Sequence, residues 1–338
     1  MAALEVPPLA LTMGEPAGIG PEITLKAWAA ARSAPLPPFF AIGDPAHYSA
    51  TAKRAGLACE IREIADPDET HALFPDALPV LPVPLAAASQ AGRLAPENAA
   101  AVMRAIDLAA EQALAGKAGG VVTNPIHKRA LYDAGLSVPG HTEYLAALCG
   151  GMTPVMMLSC PGLRVIPVTV HQSLKGAVAS LRGEAIAEQG IILAAALKAD
   201  FGISRPRIAV AALNPHAGEE GRLGREEIDI IAPAIEKLKA ACPETEFRGP
   251  LPADTLFHAA ARQSYDAVLC MYHDQALIPL KTIDFENGVN TTLGLPIVRT
   301  SPDHGTALDI AGKGIAHPGS LIAAIHMAGQ IASCRARA

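Results

Sequence analysis

The chain has 338 residues, of which 50% are hydrophobic, so it can bury one large core or two smaller ones. A net charge of −6 gives no electrostatic reason to expect a nucleic-acid partner. Proline and polar residues interrupt every apolar stretch before it is long enough to cross a membrane. Only 4% of the residues are aromatic, which favours an α/β protein over a β-sandwich.

The amino terminus and the cysteines predict a cytoplasmic protein. The sequence MAALEVPPLALTMGEPAG carries Glu5 and lacks the basic segment that opens a signal peptide. None of the six cysteines forms a CxxC pair, and Cys270 lies inside an apolar run. We therefore expect reduced thiols that are mostly buried.

The amino-terminal part of the chain alternates predicted strands and helices. PLALTMGEPAGIGPEITLKAWAAA (8–31) predicts a strand, a glycine-rich turn and a helix, and FFAIGD (39–44) predicts the next strand. Residues 75–84 are punctuated by prolines, so we expect them to run along a domain surface. Residues 96–116 predict a helix closed by Gly116, and GGVVTNP (119–125) predicts the strand that follows.

A second series of elements begins near residue 136. The sequence predicts adjacent strands in 155–160 and 163–172, a helix over 184–201, a strand in 207–215, a helix over 225–242, and a strand in 266–274. The remaining residues are loop-rich and end in a helix. This alternation predicts parallel βαβ units. We expect two α/β lobes with a cleft between them, formed by residues 1–135 with 285–338 and by residues 136–284.

Three predicted strands end next to a histidine: His171 after VIPVTV, His216 after IAVAALNP, and His273 after AVLCMY. Ligands of open α/β sheets bind beyond the carboxyl ends of the strands. Three imidazoles with open positions left over are typical of a catalytic zinc or a similar divalent metal. Asp274 would then orient a histidine or serve as a fourth ligand. Each histidine alone also fits an ordinary hydrogen-bonded loop residue. The three imidazoles could converge within one chain, or they could meet only across a subunit interface.

The glycine-rich turn MGEPAGIGPE (13–22) resembles a phosphate-cradling loop at the start of a helix. It matches neither GxGxxG nor the P-loop pattern, however. A tight strand-to-helix turn, or a loop that borders a cleft, fits these residues equally well.

A group of cationic and polar side chains provides the donors that a phosphate or carboxylate on a small substrate needs. The group consists of His141, Thr142, Lys281, Asn290 and Arg299. Lys281 follows the apolar run IPL and Arg299 follows LPIV, so we expect both to lie near strand ends, close to His273. The alternative is that they are ordinary surface charges.

These motifs together resemble one family over nearly the whole chain. GEPAGIGPE, NPIHK, PGHTEYLA, PVTVHQSL, NPHAGEEGRLGREE, MYHDQALIPLK and GVNTTLGLPIVRTSPDHGTALDIAGKG resemble, in this order, the 4-hydroxythreonine-4-phosphate dehydrogenases of vitamin B6 synthesis. The segment HGTALDIAGKGIAHP (304–318) is also similar to the adenine-binding loop of isocitrate and isopropylmalate dehydrogenases. The resemblance implies a two-lobed, non-Rossmann α/β/α fold of the isopropylmalate dehydrogenase type with mostly parallel sheets.

The resemblance also implies a metal, a substrate and a cofactor site. His171, His216 and His273 would hold zinc, magnesium or cobalt, with ligands drawn from both subunits of a homodimer. The lobe of residues 136–284 would carry these ligands and the dimer contacts. His141, Thr142, Lys281, Asn290 and Arg299 would contact the substrate. NAD or NADP would lie against residues 304–314, including His304, Gly305, Thr306, Ala307, Asp309 and Gly312. His304 would stack on the adenine or simply cap the turn.

The implied substrate is 4-phosphooxy-L-threonine. Oxidation at C3 by NAD(P) would give 2-amino-3-oxo-4-phosphooxybutanoate, and loss of CO2 would give 3-amino-2-oxopropyl phosphate. During catalysis Lys281, Arg299 and His141 would anchor the phosphate and the carboxylate. Asp274 and Asp254 are the candidates for the general base. Asp254 alternatively caps a helix in TLFHAAAR.

Three other functions fit parts of the pattern. A dehydrogenase of threonate or erythronate 4-phosphate, or of a cyclic dihydrodiol, would share the metal and cofactor sites. A zinc hydrolase would use the three histidines to activate water and would need no nicotinamide. A non-catalytic sensor of small phosphorylated ligands has the least support, since no DNA-binding element or output domain is apparent.

Overall fold

A computed structural model describes residues 6–135 and 140–337. The chain divides into two compact units: unit 1 is Met1–Pro154 with Leu295–Arg337, and unit 2 is Val155–Gly294. The sequence analysis placed the two boundaries after residues 135 and 284, whereas the structure places them after residues 154 and 294. They differ because a helix at 141–148 packs against the helix at 99–114, and a strand at 289–293 pairs with the strand at 155–160.

The described part of the chain contains twelve strands and twelve α-helices. The strands are β1 (Leu9–Thr12), β2 (Phe39–Gly43), β3 (Ile61–Glu63), β4 (Leu78–Pro82), β5 (Gly120–Thr123), β6 (Val155–Cys160), β7 (Leu163–Thr169), β8 (Arg207–Ala211), β9 (Glu246–Leu251), β10 (Ala267–Tyr272), β11 (Val289–Leu293) and β12 (Arg299–Pro302). The helices are α1 (Gly20–Ala30), α2 (Pro45–Ala55), α3 (Thr70–Leu73), α4 (Ala99–Leu114), α5 (Lys128–Asp133), α6 (His141–Leu148), α7 (Leu174–Ser180), α8 (Gly183–Ala199), α9 (Ala232–Ala241), α10 (Ala259–Arg262), α11 (His273–Ile283) and α12 (Gly319–Arg335). The predicted α/β class is confirmed.

In unit 1 the strands are arranged in the order β3-β4-β2-β1-β5-β12, and the paired strands run parallel. Every residue of β1, β2 and β5 is buried, as expected for parallel strands covered on both faces. Helix α4 packs on β1, β2 and β5, and α12 packs on β5 and β12. The carboxyl-terminal segment therefore completes the sheet that the amino-terminal residues begin.

The prolines of residues 75–84 predicted a path along a domain surface, and this prediction was wrong. These residues contain β4, which lies between β2 and β3, and both Leu78 and Val80 are completely buried. The N–H of Leu78 donates to the carbonyl of Glu60 (2.8 Å), and the carbonyl of Val80 accepts from Ile64 (2.9 Å). These bonds do not involve the missing N–H of a proline, so the strand tolerates its prolines.

In unit 2 the strands are arranged in the order β11-β6-β7-β10-β8-β9. Strands β7, β10, β8 and β9 are parallel, whereas β6 is antiparallel to both of its neighbours. The core includes Val165, Val268 and Cys270 from the strands and Ala276 and Leu280 from α11. The predicted adjacency of the strands at 155–160 and 163–172 is confirmed.

Helix α11 was not expected from the sequence. It begins at His273, directly after β10, and contains Pro279. Proline disfavours helix interiors, which hides this helix in the sequence. The expectation that Lys281 lies near a strand end was therefore wrong, because it lies in the last turn of α11. Arg299 is the first residue of β12. The residues before it, LPIV, do not form a strand.

All six cysteines are free thiols. Cys160 and Cys270 are buried, but the other four are only half-buried, so the expectation of mostly buried thiols was wrong for them. Among the described residues we find no helix with the length and apolar character that spanning a bilayer requires.

The glycine-rich residues 13–20 form a tight turn between β1 and α1. Gly14 has φ +68°, and a Cβ atom there would lie 2.6 Å from the carbonyl oxygen of Pro125. The N–H of Ile19 donates to the carbonyl of Thr306 (3.0 Å), and Gly18 also packs against Thr306. Because a backbone carbonyl already occupies this donor, the geometry favours a packed turn over a phosphate cradle.

Gly14→Ala should lower the free energy of unfolding by about 3 kcal/mol, because it adds a steric clash to a left-handed backbone. Gly56→Ala is the matched control, since Gly56 has φ +65° and a Cβ atom there would have nothing within 4 Å. It should cost only about 1 kcal/mol. Urea unfolding of both variants measures the difference, and equal losses would contradict the role of crowding at Gly14.

Candidate metal and substrate sites

Two of the three strand-end histidines lie side by side in unit 2. His171 follows β7 and His273 opens α11, and their ring centroids are 5.9 Å apart with the planes at 43°. Both line a cavity of about 330 Å³, together with Thr169, Gln172, Ser173, Leu174, Ala177, Tyr272 and Asp274. Two imidazoles at this separation can reach one divalent ion, so the donor pair fits a metal.

Asp274 orients the ring of His273. Its Oδ1 lies 2.7 Å from Nδ1 of His273. A carboxylate that accepts from Nδ1–H fixes the tautomer in which Nε2 presents its lone pair to a metal. Of the two roles considered for Asp274, this contact supports that of an orienting partner.

His216 is not brought into this cavity. In the part of the chain that the structure describes, no group of three His, Cys, Asp or Glu side chains is placed to hold an ion. His216 is exposed in the loop after β8, and it is not among the residues that line the cavity of His171 and His273. The three-histidine site therefore stays a prediction, in which a second subunit supplies part of the ligand set.

His216 opens a left-handed turn. Residues 216–220 all have positive φ, from +43° at Glu219 to +78° at Gly218. Each non-glycine residue in this conformation costs roughly 1–2 kcal/mol. His171 also has a positive φ, of +50°. Two of the three predicted ligands thus carry backbone strain of the kind that clusters at functional sites.

The carboxylate of Glu227 binds the chain just before this turn. Its Oε1 accepts from the N–H groups of Leu213 (2.8 Å) and Asn214 (2.7 Å), and its Oε2 accepts from Nδ2 of Asn214 (2.9 Å). Burial raises the pKa of Glu227, but the hydrogen bonds from Asn214 and the backbone outweigh it and hold the pKa below its ordinary value. The side chain is therefore a buried, charged acceptor. No motif in the sequence indicates this role.

Arg299, a member of the predicted substrate group, is buried in unit 1 near Thr123 and Glu143. It is 3% exposed, and its Nη2 donates to Oγ1 of Thr123 (2.8 Å). Burial lowers the pKa of Arg299 to about 10, although the carboxylate of Glu143 opposes the shift. Arg299 therefore remains charged at neutral pH.

His141 begins α6, with the half-buried Thr142 next to it. Burial, reinforced by the charges of Arg299 and Lys128, lowers the pKa of His141 to about 3. Its Nε2 is buried and has no hydrogen-bond partner among the described residues. A neutral imidazole with an unused nitrogen suits a ligand contact. Lys128, from the NPIHK motif, is a neighbour that the predicted site did not include.

Lys281 and Asn290 belong to unit 2. The Nζ of Lys281 lies 5.0 Å from the ring centroid of Phe285. Asn290 lies on β11, and its Oδ1 is buried without a partner among the described residues. An unsatisfied buried amide oxygen is rare in folded proteins and supports a ligand-binding role.

Asp254 and Asp274 line one cavity of about 410 Å³, with Tyr272, Gln275 and largely apolar neighbours. Asp274 thus borders both this cavity and the one that contains the histidines. Asp254 is not a helix cap, as one alternative held. It lies in the short turn Ala253–Thr255, and α10 starts after His258, whose Nδ1 accepts from the N–H of Ala261 (3.4 Å).

The predicted cofactor segment is the loop between β12 and α12 in unit 1. The turn at residues 13–20 binds it at Thr306, and a Cβ on Gly92 would lie 3.0 Å from the carbonyl oxygen of Leu308. Ala307 and Gly312 have positive φ, of +44° and +72°. The Nδ1 of His304 lies 3.0 Å from the carbonyl of Gly305, which fits a turn-capping role. Gly305 and Asp309 are exposed.

Comparison with known proteins agrees with the motifs. The profile of the family described as pyridoxal phosphate biosynthetic protein PdxA matches residues 36–328. A 4-hydroxythreonine-4-phosphate dehydrogenase from Caulobacter vibrioides is 54% identical over 334 residues, covering 97% of this chain and 98% of that protein.

Solved structures give the same result. A 4-hydroxythreonine-4-phosphate dehydrogenase from Klebsiella pneumoniae is 38% identical with a TM-score of 0.88, over 98% of this chain and 100% of that one. A terephthalate 1,2-cis-dihydrodiol dehydrogenase from Burkholderia xenovorans is 27% identical with a TM-score of 0.65, over 95% and 97%. The predicted family is thereby confirmed, and the chain belongs to the PdxA family of pyridoxal phosphate biosynthetic proteins.

Proposed function

We propose that the chain is a metal-dependent, NAD(P)-linked dehydrogenase of 4-phosphooxy-L-threonine. Oxidation at C3 gives 2-amino-3-oxo-4-phosphooxybutanoate, and loss of CO2 from this β-keto acid gives 3-amino-2-oxopropyl phosphate. The observation that carries the proposal is the pair of His171 and His273, 5.9 Å apart, with Asp274 on the second ring. The named activity of the 54% identical relative supports the choice of substrate.

His171, His216 and His273 would hold the metal in a homodimer that shares its sites. A bound divalent metal supplies Lewis acidity at the substrate hydroxyl and at the carbonyl that replaces it. Nitrogen donors favour zinc or cobalt over magnesium, which prefers oxygen ligands. Asp274 keeps the ring of His273 in place, since it binds Nδ1 at 2.7 Å.

The substrate anions would be bound by residues with different charge states. Arg299 remains charged while buried, and Thr123 fixes its guanidinium, so it suits a phosphate or a carboxylate. Neutral His141 and the hydroxyl of Thr142 would supply hydrogen bonds without adding charge. Lys281 and Asn290 would complete the contacts. Together they would hold C3 against the hydride acceptor.

Asp254 is our choice for the general base that accepts the hydroxyl proton. Both candidates line the same cavity, but Asp274 is already bound to His273. Asp254 is exposed at the cavity wall, where a substrate hydroxyl can approach it.

NAD or NADP would lie along residues 304–314 and accept the hydride from C3. The hydrogen bond from Ile19 N–H to the carbonyl of Thr306 holds the loop, Gly92 approaches it closely at Leu308, and Gly305 and Asp309 are exposed. A loop fixed in this way can bind a dinucleotide without first becoming ordered.

A second candidate is the oxidation of a cyclic dihydrodiol. The 27% identical dihydrodiol dehydrogenase favours it, since its likeness extends over 95% of this chain. Threonate and erythronate 4-phosphates are further alternatives, because they differ from the proposed substrate only in the group that replaces the amine or in stereochemistry.

Purified protein with a divalent metal and NAD or NADP should reduce the nicotinamide when 4-phosphooxy-L-threonine is added. The assay follows absorbance at the band of the reduced cofactor, with threonate 4-phosphate, erythronate 4-phosphate and a cis-dihydrodiol as parallel substrates. Reduction with one of these alternatives alone would keep the chemistry and change the substrate. If none of the four substrates causes reduction of the nicotinamide, the dehydrogenase function is excluded.

His216→Ala should remove bound metal and turnover while the fold is retained, because the imidazole is exposed and its loss leaves no cavity. His326→Ala, at an exposed position of α12, is the control and should change neither. Metal content by elemental analysis and circular dichroism report the two properties. A His216 variant with full metal content would show that the ligand is misassigned.

Asp254→Asn and Asp274→Asn should fail in different ways. Loss of a general base lowers kcat by about 10²–10⁴-fold, so the Asp254 variant should keep its metal and lose turnover. Loss of an orienting carboxylate weakens metal binding by about 10–100-fold, so the Asp274 variant should recover activity at high metal concentration. The opposite pattern would exchange the two roles.

The imidazole of His141 should stay neutral down to about pH 4, because its pKa is lowered to about 3. The unfolded chain takes up this proton near pH 6.5, so His141 destabilises the fold as the pH falls from about 6.5 towards 3. Nitrogen-15 NMR of labelled histidine, assigned with His141→Asn, measures the titration. A midpoint near 6.5 would refute the buried, neutral state.

A further inference from the structure

We propose that Glu227 is a positioning residue: its buried carboxylate holds the left-handed turn of residues 216–220 and so aims His216 at the metal. The inference rests on the proposed function for the role of the metal. The contacts that carry it lie entirely within unit 2.

Glu227 holds the chain on the amino-terminal side of the turn with both carboxylate oxygens. It accepts two backbone N–H groups, from Leu213 and Asn214, and one side-chain N–H from Asn214, at 2.7–2.9 Å. Glu226 adds a second acceptor for Asn214 Nδ2, at 2.7 Å. The chain just before His216 is therefore fixed in direction, which sets where the left-handed turn begins.

Two glycines make room for this arrangement. A Cβ on Gly218 would lie 2.7 Å from Oε2 of Glu227, and a Cβ on Gly224 would collide with the side chain of Asn214. The turn and the carboxylate thus touch directly at Gly218. The backbone of the turn follows the shape of the buried side chain.

Packing of the turn's own side chains does not explain its conformation. His216, Glu219 and Glu220 are exposed, so they gain little from burial in a strained backbone. The backbone bonds from Ala217 N–H to Asn214 (3.2 Å) and from Leu223 N–H to Gly218 (3.0 Å) close the turn but do not orient it. The orientation comes from Glu227.

Glu227 does not act as a metal ligand. It is 4% exposed, and its two oxygens are engaged with the backbone and the side chain of residues 213 and 214. Its effect on a metal must therefore pass through the geometry of the turn.

Hydrogen exchange of the metal-free protein tests the hold on the turn. Glu227→Gln replaces one acceptor oxygen by a donor, so the amides of Leu213 and Asn214 and those of residues 216–220 should exchange about tenfold faster or more. Asp229→Asn is the matched control, because it removes the same charge two positions away, where the exposed carboxylate accepts from the exposed Arg225 (2.9 Å). Unchanged protection in the Glu227 variant would overturn the proposal.

Titration of the same metal-free proteins with Co²⁺ tests the consequence. Binding should weaken by about tenfold or more in Glu227→Gln and by less than about twofold in Asp229→Asn. His216→Ala sets the level of binding without this ligand. If that variant binds Co²⁺ as tightly as the unaltered chain, the metal role of His216 fails, and the exchange result alone then decides whether Glu227 holds the turn.

A rescue variant separates geometry from charge. Glycine adopts positive φ without strain, so Ala217→Gly, which changes no charge, should restore part of the Co²⁺ affinity lost in Glu227→Gln. Absence of rescue would overturn a role through backbone geometry. If Glu227→Gln does not fold, Glu227→Asp keeps the charge and shortens the reach, and it should show the same loss and the same rescue.

Discussion

Parallel pairing of β7, β10 and β8 is the constraint on which the candidate metal site depends. Val268 of β10 is level with Val165 of β7 and with Ala209 of β8, so the three strands run in register and end at one edge. His273 follows the middle strand directly, and His171 follows one of its neighbours. Backbone pairing of the strands thereby places the two imidazoles at the same edge of the sheet.

Glu227 of unit 2 and the pair Arg299 and His141 of unit 1 differ in how burial affects their charge. Glu227 and Arg299 are buried and remain charged, because hydrogen bonds stabilise the carboxylate and the guanidinium keeps a pKa of about 10. The Nε2 atom of His141 is also buried but lacks a hydrogen-bond partner among the described residues, and desolvation together with the neighbouring cations lowers the pKa of the ring, so that it is neutral. Burial alone therefore does not decide the charge of a side chain, since the hydrogen bonds and charges around each group also contribute.

The sequence predicted those parts of the structure that depend on local pattern. Apolar runs located β1, β2, β5, β7, β8 and β10, and the histidines at strand ends were visible in the same runs. Proline misled the prediction twice, by hiding β4 and by hiding α11 around Pro279. The helix or strand propensity of a residue takes no account of its tertiary contacts. Both β4 and α11 are stabilised by neighbours that are distant in the chain.

The sequence predicted those contacts of the candidate site that join neighbouring residues of a motif. It did not predict the contacts that depend on the tertiary structure. Asp274 beside His273 follows from adjacency in the sequence. Glu227 accepts hydrogen bonds from the backbone N–H groups of Leu213 and Asn214, which are 14 and 13 positions away in the chain. Every residue except proline has such a donor, so residue types do not predict these bonds. The lowered pKa of His141 likewise depends on tertiary structure, first on the burial of the ring and then on the nearby charges of Arg299 and Lys128.

The discontinuity of unit 1 has a consequence for synthesis on the ribosome. Strand β5 needs β12 as its parallel neighbour, and the turn after β1 needs the carbonyl of Thr306. Unit 2 is contiguous, from Val155 to Gly294, and emerges complete while these partners are still unmade. The sheet of the nascent amino-terminal segment therefore keeps one edge unpaired, at β5, until translation is nearly finished. Chaperone binding would be most useful during this period.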